Sequence, residues 1–144
     1  MPELNPDQFK DIAGRHILSQ LNDNLDGVFD KYENAFNDTA VGRFTNSTPR
    51  TAETFMNVGQ SLYNAQDSHD QGDPSGTWYH LNELNDHLQK LAHHVVNEDF
   101  EGRVPADRLH NLHTEVLSSL THVKNAKHSY SELYKVVEPP KEGE

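Results

Sequence analysis

Histidine is the residue in this chain with the most chemistry to offer, and it is clustered: ten occur in 144 residues, eight of them between His80 and His128. Imidazole changes charge near neutral pH and is the commonest metal ligand, so the cluster raises both a switch and a metal site. Spacing separates the two. His80, His87 and His94 recur every seventh residue, which on a helix puts them in one row with neighbours about 10 Å apart along the axis, too far to share one ion. Pairs close enough to chelate are Glu83 with His87, His94 with Glu98, His110 with His113 and His128 with Glu132. Each supplies only two ligands, and neither Glu-x-x-His nor His-x-x-x-His, the spacings of helical di-iron centres, occurs. The residues therefore point first to histidines bordering a helical core, with His80, His87 and His94 as a pH-sensitive contact row. Ten protonated histidines would offset most of the formal net charge of -11.

Helices must position that row. A first helix opens at Asn5-Pro6 and carries Phe9, Ile12, Ala13, Ile17, Leu21, Leu25, Val28, Phe29, Tyr32 and Phe36 at spacings of three and four. Its seam drifts around the surface, and Asn22 to Gly27 is poor helix material, so a kink or interruption is expected near Gly27. Residues 39–50 read as a connection, with Thr48 capping a second helix that starts at Pro49 and turns Phe55, Met56, Gly59, Leu62 and Tyr63 inward. Asp67 to Gly76 reads as a loop. The third helix, about Thr77 to Val96, bears Trp78, Leu81, Leu84, Leu88, Leu91, Ala92 and Val95 in a near-heptad stripe. A fourth runs from Pro105 through Leu109, Leu112, Val116, Leu117, Leu120, Val123, Tyr130, Leu133, Tyr134 and Val137, and Pro139-Pro140 stop it. Two long and two shorter helices argue an all-α, antiparallel four-helix bundle forming one domain over 1–138, with an acidic, Pro-containing tail at 139–144.

Two short segments add chemistry by resemblance. Asn22-Asp23-Asn24-Leu25-Asp26-Gly27-Val28-Phe29-Asp30-Lys31-Tyr32-Glu33 resembles the EF-hand calcium loop. The resemblance implies Asn22, Asn24, Asp26, Asp30 and Glu33 as calcium ligands, with Gly27 at the turn. Asn22 stands where that family has Asp, and no second loop of the kind follows, since the segment starting at Asn97 ends at Arg108. Arg108-Leu109-His110-Asn111-Leu112-His113 matches the Arg-x4-His spacing of HEPN ribonucleases, and Arg103 with His110 the looser gap. That likeness implies Arg108 and His113 as the residues of an RNA-cleaving site.

Composition bounds the class. With 23 acidic against 12 basic residues, the charge works against nucleic acid and anionic lipid as partners. No cysteine is present, which removes disulfides, thiolate zinc sites and thiol catalysis. Neither a secretory signal nor a membrane-spanning run is visible, so the expected setting is the cytoplasm or a virion assembled within a cell. At 33% hydrophobic residues the core is lean, and a stabilising partner is expected. The reading is a non-enzymatic protein-binding or structural subunit of a larger assembly, a homo- or hetero-oligomer without cofactor. Its expected contact residues are His80, His87, His94, Tyr130 and Tyr134. Calcium binding at 22–33 and HEPN-like ribonuclease activity are the alternatives.

Overall fold

The computed structural model describes residues 5–36, 47–100 and 102–135. These form four helices: α1 (Pro6–Phe36), α2 (Pro49–Asp70), α3 (Pro74–Asn97) and α4 (Ala106–Tyr134), with no strand among the described residues. The tail at 139–144, Val137 and the connection at 39–46 lie outside them.

Local chemistry explains the helix starts. Asn5 Oδ1 accepts from the Gln8 amide at 2.8 Å while Gln8 Oε1 accepts from the Asn5 amide at 3.1 Å, a reciprocal capping box before Pro6. Thr48 caps the Thr51 amide at 3.2 Å, and Asp73 caps that of Gly76 at 2.9 Å, each followed by a proline at the first helical position. The expected loop from Asp67 to Gly76 thereby shrinks to residues 71–73, with α2 ending at Asp70 and Gly72 taking a positive φ of 77° to reverse the chain.

Helix α1 is unbroken through Gly27, so no interruption occurs there. Its buried residues Gly14, Leu18, Leu21, Leu25, Val28, Tyr32 and Ala35 alternate steps of four and three, a heptad seam that holds one face instead of drifting. Phe9 and Ile12, expected inside, are 57% and 54% exposed. The inner face of α2 is rotated from the expected one: Thr51, Thr54, Val58, Ser61, Leu62, Ala65 and His69 are buried, whereas Met56 and Tyr63 face solvent. Helix α3 buries every residue of its expected stripe.

Successive helices run antiparallel. Asp11 near the start of α1 meets His69 near the end of α2, and Trp78 at the start of α3 meets Lys127 late in α4. Each helix packs on its two neighbours in the cycle α1–α2–α3–α4, with the α1–α2 side the sparsest; across the diagonal α2 meets α4 through side chains, His69 on Tyr130. One end of the bundle is aromatic, with Tyr32 stacked on Phe55 at 3.7 Å and Phe36 against Phe100 at 5.0 Å.

The α4 seam replaces expected leucines with small residues. Leu117 is 48% exposed, and Ser119 is buried with its Oγ lacking a hydrogen-bond partner among the described residues. An unmade bond on a buried hydroxyl costs about 1–3 kcal/mol, and alanine is also the better helix former. Ser119→Ala is therefore expected to stabilise the fold by about 1 kcal/mol in urea denaturation; a loss of stability would mean the hydroxyl is bonded after all.

Candidate functional site

His80, His87 and His94 form the expected row on α3, each half-buried at the edge of the core. His80 Nδ1 lies 2.6 Å from Glu83 Oε1. Trp78 and Lys127 mark the α4 side of α3, so the histidine row borders the α2 side, where Glu98 approaches Thr48 and Arg50. Tyr130 does not join this row on a surface: it is fully buried at the far side of α3, with Tyr134 half-buried beside it. Its core position follows from the α4 seam, which places it one turn beyond Ala126.

The calcium-loop residues do not converge. Because 22–33 is helical, Asn22, Asp26, Asp30 and Glu33 fall within an arc of about 80° and spread about 16 Å along α1, while Asn24 points to the opposite side. A calcium loop wraps its oxygens around one point, which this conformation does not do. Among the described residues no group of three or more acidic or histidine side chains is placed to hold a metal ion. Arg108 also stands apart from His113, about 140° away around α4. It reaches instead to the Asn34 carbonyl of α1 at 3.3 Å, and Arg103 Nε donates to the Phe100 carbonyl.

A different constellation is built around His69, which lies in the segment expected to be a loop. The last turn of α2 carries it into the core, where its side chain is 2% exposed. Nε2 lies 3.1 Å from both the carbonyl and Oδ1 of Asp11, and Nδ1 lies 2.7 Å from Tyr130 Oη. Both Asp11 oxygens only accept, so Nε2 carries a proton and donates it to the Asp11 carbonyl, with Oδ1 at ion-pair distance, and in the neutral ring Nδ1 accepts the Tyr130 hydroxyl proton. Both ring nitrogens are thereby committed to bonds within the bundle, tying α1, α2 and α4 together. The ring fits because position 14 is glycine: a Cβ there would sit 2.6 Å from His69 Cε1 and 3.2 Å from the Tyr130 ring. Tyr134 closes the cluster, its ring 4.8 Å from Tyr130. A cleft of about 340 Å³ opens above, lined among others by Asp7, Lys10, Asp11 and Tyr134. The sequence signal for this site is Asp73-Pro74, a cap and first-turn proline that start α3 and leave only residues 71–73 to connect it to α2, so that His69 falls in the last turn of α2.

Burial pushes the Tyr130 phenol up from its usual value, a hydrogen bond with Thr77 opposing and nearby Tyr134 adding to the shift. Burial likewise raises Tyr32, against its Ser47 bond, and Tyr134, where nearby Asp11 adds to the effect. An unfolded tyrosine releases its proton around pH 10.0, while folded Tyr130 keeps it. The stability this contributes is fully present below that pH and is lost as pH rises through the folded value. The urea midpoint is expected to fall between about pH 9 and 11, and less steeply in Tyr130→Phe. An identical slope in the variant would remove Tyr130 as its source.

No protein-family model matches the chain, and comparisons with curated proteins and with solved structures found no match. Among the described residues no helix is long and apolar enough to cross a membrane.

Proposed function

We infer that the protein works by binding other proteins, as a structural subunit of a larger assembly such as a virion or another multi-protein complex. One observation carries this reading. Ala52, Met56, Gly59 and Tyr63 form a stripe along α2 at heptad spacing, and the stripe faces outward, with Met56 71% and Tyr63 62% exposed. Isolated exposed apolar residues are ordinary on a monomer, but a row at the spacing used between helices is the form of a contact face. The acidic balance of the chain favours solubility and basic partners.

The test is cross-linking of the chain in the cells that make it, followed by reconstitution of each cross-linked pair from purified proteins. Size-exclusion chromatography with light scattering should then show a complex of fixed stoichiometry. A chain that stays monomeric and gains no stoichiometric partner overturns the reading.

A further inference from the structure

We propose that the outer face of α2, together with the acidic row of α1 beside it, docks a basic amphipathic helix of a partner protein. This rests on the protein-binding reading above and adds the face used and the chemistry of what it takes.

The apolar half of the argument is geometric. Steps of four, three and four separate Ala52, Met56, Gly59 and Tyr63, so they share an arc of about 60° on α2, as residues that meet another helix do. A Cβ built on Gly59 meets nothing within 4 Å. Met56 and Tyr63 therefore flank a notch in which one side chain of a facing helix seats as a knob. An extended segment, whose side chains alternate with a period of two, does not match this spacing.

Charge selects the occupant. On α1, Asn22, Asp26, Asp30 and Glu33 occupy the flank that also carries Asp11, Arg15 and Phe29. Those three reach α2 at His69, Asp70 and Phe55, which fixes this flank as the one beside α2. The stripe leans to the same side, since Arg50 on the opposite flank of α2 pairs with Glu98 beyond α3. Asp26, Asp30 and Glu33 are exposed and form no ion pair with a described cation. An apolar stripe bordered by uncompensated carboxylates suits a helix with apolar residues in its a and d places and Lys or Arg beside them. A second copy of this chain, at net charge -11, brings like charge to the same contact.

The probes are two synthetic peptides of about three heptads with leucine at every a and d place, one with lysine at the flanking positions and one with glutamate. Each is titrated into the isotopically labelled full chain at roughly 50 mM salt, where screening is weak. The lysine peptide should bind saturably, shift the amides of 22–33 and 52–63 most, and bind at least about tenfold tighter than the glutamate peptide. Met56→Asp with Tyr63→Asp should weaken it by about tenfold or more, and Gly59→Gln, which fills the notch, by several-fold. Asp26→Lys with Glu33→Lys should reverse the preference between peptides. All these positions are at the surface, and far-UV circular dichroism checks that each variant folds. Absence of saturable binding, shifts centred on another face, self-association through α2, or affinities unchanged in the variants each overturn the proposal. If a reconstituted natural complex forms but survives Met56→Asp with Tyr63→Asp, the docking face is wrong while the protein-binding reading stands.

Discussion

His69→Ala is expected to destabilise the protein by about 3 kcal/mol, a drop in melting temperature of roughly 10 °C for a domain of this size. Three losses combine. The imidazole fills the space against Gly14, so its removal leaves a cavity at the end of the core. The Tyr130 hydroxyl, fully buried, loses the nitrogen it donates to. The bond from His69 to the Asp11 carbonyl also goes, and with it a tie on the already sparse α1–α2 side. Tyr130→Phe alone should cost about 1–2 kcal/mol, because it leaves His69 Nδ1 unpaired in the core. If the two residues act through one bond, the double variant should cost less than the sum by about 1–2 kcal/mol in urea denaturation. Additive losses would show that His69 contributes by packing alone.

The bundle was legible where apolar residues alone build the seam. Trp78 and the leucines of α3 are bulky, heptad-spaced and all buried, so their pattern could be read directly. Helix α2 misleads for a physical reason. Its inner face is made of Thr51, Thr54, Ser61 and His69 beside Val58 and Leu62, whereas the more conspicuous Met56 and Tyr63 face outward. A core can accept those hydroxyls because a helix offers carbonyls one turn back, as Arg50 does to Thr54 Oγ1 at 3.0 Å. Hydrophobicity thus picked out the bare stripe and passed over the buried one. The calcium-like pattern has a similar origin: a helix with Leu25, Val28 and Tyr32 inward and polar residues between them places acids near the loop's ligand spacing without the loop. The His80, His87, His94 row was visible from its period alone. His69, Tyr130 and Asp11 were not, since they lie 58 and 61 residues apart in sequence and only the antiparallel packing joins them.

Gly14→Val should reproduce much of the His69→Ala loss without removing a polar group, destabilising by about 3 kcal/mol. Glycine inside a helix normally costs about 1 kcal/mol relative to alanine, so position 14 carries a local penalty that packing must outweigh. The ring of His69 is what occupies the space of its side chain. A Cβ would come within 2.6 Å of Cε1, and the ring has little room to yield because hydrogen bonds on both nitrogens hold it. Relief requires α1 to move from α2 and α4, or His69 to leave Tyr130. Gly59 provides the contrast: an added Cβ meets nothing there, so Gly59→Ala should gain about 0.5–1 kcal/mol from helix propensity alone. Opposite signs at these two glycines, read by urea denaturation under one set of conditions, are the expected result. A stabilising Gly14→Val would mean that α1 does not lie against His69 as described, and the network joining Asp11, His69 and Tyr130 would lose its geometric basis.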